Sequence, residues 1–209
     1  TLHEATKIDI LKKEVKFKNG RLVKFNKLIT TIPLPELKRL IKPLPKRISQ
    51  AFDKLKYTSI YNLNLGIDER LISGTHWIYF PEEKFVFFRV GFFNFLSRHL
   101  VPERKSSLYV EISYSKNKPL ERNNLYTRVC KDLEKVRILS HNSKVIAKDM
   151  NDIKYGYVIY DRNYHESRKA ILGFLSKNNI YSIGRYGSWR YMSMEDVILD
   201  GRQVAEALC

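Results

Sequence analysis

Apolar and polar residues alternate through "EVKFK" (residues 14–18) and again through "RLVKF" (21–25), with Asn19-Gly20 between the two runs. A period of two is the mark of a strand with one buried face. Asn-Gly accepts the positive φ that a tight turn needs at both central positions, so these residues predict a β-hairpin. Leu28 to Ile32 then reads as a strand, halted by Pro33 and Pro35 because proline has no N–H to give to a ladder. A short helix is expected from about Pro35, and a second over Leu44 to Leu55 with Ile48, Phe52 and Leu55 on one face.

From Tyr57 the pattern turns to strands. "YTSIYNLNLGI", "HWIYF", "KFVFFRVGFF" and "SSLYVEISYS" are four β-branched and aromatic runs separated by turn-forming segments, and they predict an antiparallel sheet. Leu125, Val129, Leu133 and Val136 recur at helical spacing, "YGYVIY" (155–160) reads as a strand, and Ala170, Ile171, Phe174 and Leu175 mark a helix that stops at Asn178-Asn179. The chain closes with a strand (Ile180 to Ile183), a glycine turn (Gly184 to Gly187) and a helix (Met194 to Leu208). Ser193 is the expected N-cap, answered by Asp196, and Val197, Gly201, Val204, Ala205 and Leu208 line one side of the helix.

This order predicts an α+β chain in which an antiparallel-sheet domain (51–170) is inserted between two parts of a nucleotide-binding domain, 1–50 and 171–209. A single α+β domain is the alternative. The sequence opens at Thr1 without Met, inside a mixed segment, and is expected to be a piece of a longer protein.

Composition narrows the classes. With 44% apolar and 12% aromatic residues the chain is a folding sequence, not a disordered one. It lacks a run of about 18 apolar residues, so no transmembrane segment is expected, and no signal peptide opens it. The two cysteines, Cys130 and Cys209, are too few for a disulfide framework. They are expected to be reduced, in a cytoplasmic chain, with Cys130 on the apolar stripe of its helix. Thirty-eight Lys and Arg against 22 Asp and Glu give a formal charge of +16, which suits an anionic small molecule, a nucleic acid or an acidic surface. Neither the five histidines nor the two cysteines show metal-ligand spacing, and neither a phosphate-binding lysine loop nor a nucleophile elbow is present.

"GRYGSWRY" followed by "MEDVILDGRQVAEAL", the hairpin with "KLITTIPLPEL", and "HWIYFPEEKFVFFRV" together resemble the later half of the amine-oxidase-like flavoproteins. That group includes protoporphyrinogen oxidases and UDP-galactopyranose mutases, and "HWIYFPEEKFVFFRV" and "GRYGSWRY" are nearer the mutases. The resemblance implies a Rossmann-like FAD domain with an inserted substrate sheet, and assigns roles. Gly184, Arg185, Tyr186 and Gly187 lie beside the flavin; Met194, Glu195 and Asp196, at the start of the last helix, lie at its pyrimidine edge. Arg89 is the catalytic candidate, facing the flavin and an anionic substrate group, and Tyr157 and Tyr191 contact a substrate diphosphate such as that of a UDP-sugar. The chemistry is either oxidation by hydride transfer or rearrangement of a nucleotide sugar. The segment "MSMEDVILDG" is shorter than its mutase counterpart and closer to the oxidases. The adenylate-binding G-x-G-x-x-G of the family is absent, so the 209 residues alone are expected to be inactive and to hold FAD weakly or not at all. The alternative is a non-enzymatic basic α+β domain that binds nucleic acid, which requires Lys and Arg gathered on the sheet face.

Overall fold

The computed structural model describes residues 2–71 and 74–208; Cys209 lies outside the described residues. Contacts divide the chain into two compact units, one built from Thr1–Tyr57 with Tyr157–Cys209, the other from Thr58–Gly156.

In the first unit, strands β1 (Ala5–Asp9), β2 (Glu14–Phe17) and β3 (Leu22–Lys24) run antiparallel, and β5 (Ile41–Lys42) joins β1 in parallel, in the order β3-β2-β1-β5. The hairpin forms where its alternation predicts, with a different turn. Gly20 is left-handed (φ 87°) and Asn19 is not. Phe17 bonds Arg21 O, and Gly20 N–H returns to Phe17 O, so three loop residues close the hairpin and only the last needs positive φ. Two further strands, β4 (Leu28–Thr30) and β11 (Ile180–Ser182), pair in parallel as a separate two-stranded sheet. Helix α1 (Leu34–Leu40) starts with proline in its first turn and buries Leu34, Leu37 and Leu40. Helix α2 (Lys46–Asp53) packs on α5 (Tyr164–Lys177), which buries Ile171 and Leu175 and ends at Asn178.

The closing segment forms a short helical turn, α6 (Gly184–Gly187), and then α7 (Met194–Leu208). Ser193 and Asp196 make the expected reciprocal cap: Asp196 N–H donates to Ser193 Oγ (3.1 Å) and Ser193 N–H to Asp196 Oδ2 (2.7 Å). The interior of α7 departs from expectation. It buries no side chain, and Met194 and Ile198 are 87% and 72% exposed. Gly201, expected to permit close packing, faces open space: a Cβ built there meets nothing within 4 Å.

In the second unit the sheet order is β10-β6-β9-β8-β7, from β6 (Lys56–Ile67), β7 (Trp77–Tyr79), β8 (Arg89–Phe92), β9 (Ser106–Tyr114) and β10 (Val145–Ile159). Strand β9 is antiparallel to both β6 and β8, and β7 is antiparallel to β8. One face carries Leu63, Leu65, Val90, Phe92, Leu108, Val110 and Ile112, and it buries them against Leu125, Val129 and Leu133 of α4 (Leu125–Lys135). Cys130, on α4, is half-buried. The run "KFVFFRVGFF" contributes a strand only from Arg89, followed by the short helix α3 (Phe93–Leu96). Ahead of it, the Val86 N–H goes to the buried carboxylate of Asp132 (3.0 Å) instead of to a neighbouring strand. Strand β10 begins ten residues before the predicted "YGYVIY". Residues 146–154 are exposed throughout at the sheet edge, so they lack the buried alternation that marks a strand, and Lys148, Asp149, Asp152 and Lys154 give the edge its charge.

Asp132 accepts both Val86 N–H and Lys135 Nζ (2.7 Å) from a side chain only 8% exposed. Asp132→Ala leaves that N–H without its acceptor and should lower unfolding free energy by about 1–3 kcal/mol, read from urea denaturation.

Candidate functional site

Two clusters of polar and aromatic side chains stand out, one in each unit. In the sheet unit, residues directly opposite one another share a face. Arg89 faces Tyr79 on β7 and Glu111 on β9, and Gly91 faces Trp77 and Tyr109. These residues occupy the face opposite the α4 core. Arg89 Nη2 lies 2.6 Å from Glu111 Oε2, with the two side chains 18% and 15% exposed, and Nη1 donates to the Tyr79 hydroxyl at 3.1 Å. The guanidinium carbon is 5.6–5.9 Å from the ring centroids of Tyr79, Phe88 and Tyr109. Gly91 is what admits Tyr109: a Cβ at Gly91 would sit 2.0 Å from the tyrosine ring. Phe93 lies against that ring at 5.2 Å between centroids.

The second cluster surrounds α6. The guanidinium of Arg185 lies over Tyr191 (4.4 Å), Tyr157 (5.4 Å) and Tyr186 (5.8 Å), and its Nη1 donates to Met192 O. Tyr157 and Tyr191 are nearly parallel, 6.3 Å apart. Tyr191 is 63% exposed, and its N–H is held by the Tyr160 hydroxyl at 2.6 Å. The glycine bend itself is tied from within. Gly184, left-handed at φ 74°, donates its N–H to Asp200 Oδ2 (2.6 Å). Ser188 Oγ donates to Gly184 O, and Ser182 Oγ to Gly187 O, each at 2.8 Å. A Cβ at Gly187 would press on Thr30 O at 3.1 Å and Thr31 Cα at 3.3 Å, so glycine lets α6 sit on the chain leaving β4. Trp189, fully buried, anchors the segment against Tyr57, and its carbonyl accepts the Tyr164 hydroxyl at 2.7 Å.

Sequence-predicted positions thus fall into two groups. Tyr157, Arg185, Tyr186 and Tyr191 come together as one cation–aromatic stack, Gly184 and Gly187 frame the bend beneath it, and Met194, Glu195 and Asp196 form the exposed first turn of α7. Arg89 stands in the other unit, inside an ion pair. Tyr79, Tyr109, Glu111 and Trp77 were not singled out from the sequence. Their signal was alternation: Tyr109 and Glu111 interleave with Leu108, Val110 and Ile112, and Trp77 and Tyr79 flank Ile78. Among the described residues, no group of three or more His, Cys, Asp or Glu side chains is placed to hold a metal ion, and no helix is long and apolar enough to cross a membrane.

Residues 4–209 match the family of flavin containing amine oxidoreductases, and the chain belongs to that family. It resembles a crystal structure of reduced UDP-galactopyranose mutase at 28% identity and a TM-score of 0.85, over 91% of this chain and 42% of that one. A protein from Exiguobacterium, provisionally titled a protoporphyrinogen oxidase, matches with a TM-score of 0.71 at 14% identity over 93% of this chain and 43% of that one. A fatty acid isomerase from P. acnes that produces CLA matches at 0.68 and 11%, over 98% of this chain and 47% of that one. At these lower identities the likeness is one of fold. The chain spans less than half the length of each of these three relatives.

Family membership implies a flavin. The exposed first turn of α7 suits the edge of a flat ring in part. Helix starts present N–H groups lacking intrahelical partners, but the Asp196 N–H is already taken by Ser193, and Glu195 and Asp196 bring negative charge there. A ring edge with its own N–H donors fits that turn better than an anion does.

Two outcomes follow. Gly91→Ala must displace the Tyr109 ring or the strand, and overpacking of this kind should cost about 1–3 kcal/mol, with a change in tyrosine near-UV dichroism. Hydrogen bonds from the Ser193 backbone N–H and hydroxyl hold the Asp196 carboxyl below the ordinary carboxylate range. A lowered folded pKa stabilises above the unfolded value and is lost as pH falls through the folded one. Amide exchange in the first turn of α7 should therefore quicken, beyond its intrinsic pH dependence, as the solution is acidified through the carboxylate range. Asp196→Asn should abolish that extra response.

Proposed function

We propose that these 209 residues are the substrate-sheet half of an FAD-dependent enzyme, and that their first unit is the returning part of its flavin lobe. The observation that carries this reading is the pairing of a TM-score of 0.85 to UDP-galactopyranose mutase over 91% of the chain with a last helix that buries none of its own side chains. A parallel sheet is ordinarily covered on both faces, yet β4 and β11 form a parallel pair alone, with Ile29 half exposed. Met194, Ile198 and the open side of Gly201 add an uncovered stripe on α7. Both are what a larger flavin lobe would cover, and relatives of more than twice this length have residues to spare for it.

In this reading Met194, Glu195, Asp196, Arg185 and Tyr186 border the isoalloxazine, while Gly184 and Gly187 shape the backbone that carries them. When bound, the flavin supplies the redox or group-transfer chemistry. The chain supplies recognition: Tyr157, Tyr191 and Arg185 take a diphosphate by charge-assisted and hydroxyl hydrogen bonds, and Arg89 takes an anionic group of the substrate. The diphosphate of a nucleotide sugar fits the set of Tyr157, Tyr191 and Arg185, and a net charge of +16 draws such a ligand in. A nucleic-acid role finds no support in the family match or the structural likenesses.

Purified alone, the 209 residues should be colourless; joined to the dinucleotide-binding half that the relatives carry, they should show flavin absorbance. A yellow 209-residue preparation would contradict the assignment. Given UDP-galactopyranose after dithionite reduction, the joined protein should form the furanose isomer if it is a mutase; flavin reduction by an amine or alcohol substrate, without furanose, would make it an oxidase.

A further inference from the structure

Resting on the reading above, we infer that Glu111 sets the ligand specificity of the Arg89 face. It disfavours bare anions and selects a ligand that presents hydroxyl donors beside its anionic group, such as a sugar phosphate.

Arg89 and Glu111 face each other across β8 and β9, 2.6 Å apart and each less than one-fifth exposed. The Tyr79 hydroxyl accepts from Nη1, and three aromatic rings surround the guanidinium. A guanidinium stays charged at any physiological pH, so this is a permanent cation with a resident carboxylate. An approaching anion meets a neutral pair, and it gains Arg89 only by sharing it with Glu111 or displacing Glu111. Sharing is favourable when the ligand also gives Glu111 something to accept. Ionised carboxylates accept hydroxyl donors in short, strong hydrogen bonds. A polyhydroxylated ring joined to a phosphate satisfies both partners at once, whereas inorganic pyrophosphate satisfies only one and repels the other. Arg185 is set differently: its described contacts are a carbonyl and three tyrosine rings, with no carboxylate among them. The two arginines are therefore not equivalent anion sites, and the one on the sheet face is the discriminating one.

The test uses the 209-residue chain and two ligands, sodium pyrophosphate and UDP-galactopyranose, followed by the fluorescence of Trp77, which is opposite Gly91 and 46% exposed. Glu111→Gln keeps the shape and removes the charge. Pyrophosphate should bind the variant about tenfold more tightly, the scale of one charge-assisted hydrogen bond. The preference for UDP-galactopyranose over pyrophosphate should shrink by a similar factor. Adding Arg89→Gln to Glu111→Gln should cancel the gain. Glu111→Gln should also melt lower than the parent without ligand, because a partly buried cation has lost the carboxylate opposite it, and gain more than the parent when pyrophosphate is added. A purely structural Glu111 would lower the melting temperature and leave the ligand preference unchanged. That result, with both ligands still binding the parent, overturns the role of Glu111 alone. Failure of both ligands to bind parent and variant overturns it together with the proposal that this face takes an anion.

Discussion

The two-residue period of a single antiparallel sheet governs the second unit. From Ser59 opposite Tyr114 to Ile67 opposite Ser106, β6 and β9 pair without a slip, and β8 continues the same register on the far side of β9. One parity sends Leu108, Val110 and Ile112 into the core beneath α4; the other sends Tyr109 and Glu111 to the face that Arg89 occupies. A slip of one residue would exchange these sets, burying charge and exposing the core. Core burial therefore fixes the geometry of the Arg89 pair from the opposite face of the sheet. Gly91 completes the arrangement, since the tyrosine ring lies where any other side chain would begin.

Legibility in the sequence followed the same physics. Elements with one buried face were visible: strand β2 of the hairpin, the strands β6 and β9, and helices α4 and α5 all carry the period of their geometry, whereas β3 is exposed throughout and was legible through its Asn-Gly turn. Residues 146–154 of β10 were not, because both their faces meet solvent and nothing in their composition records the ladder. Arg89 was conspicuous as a charge within an aromatic run. Its partners were not, because Glu111 lies 22 positions away and joins it only through register. Asp132 shows the opposite failure. Charged helix residues are read as solvent-facing, and this one is buried because it serves the Val86 N–H.

The closing segment divides labour differently from a glycine loop built solely to approach a ligand. Its glycines and serines are engaged within the bend, Trp189 pins it from below, and the groups left outward are Arg185, Tyr191 and the start of α7. A bend so tied holds its shape without help, whereas α7 beyond its cap has its own backbone and little packing to hold it. Rigidity is concentrated beneath the aromatic rings around Arg185, and exposed apolar surface along α7.

Strands β6 and β10, neighbours in the sheet, also carry the chain into and out of the second unit. Ser59 Oγ reaches Lys154 O at 2.7 Å, and a Cβ at Gly156 would come within 3.0 Å of Thr58 O. The two ends of a 99-residue stretch thus emerge side by side. A module tethered in this way imposes almost no span on its host. It can be exchanged, enlarged or deleted by crossover at a single point of the chain that surrounds it.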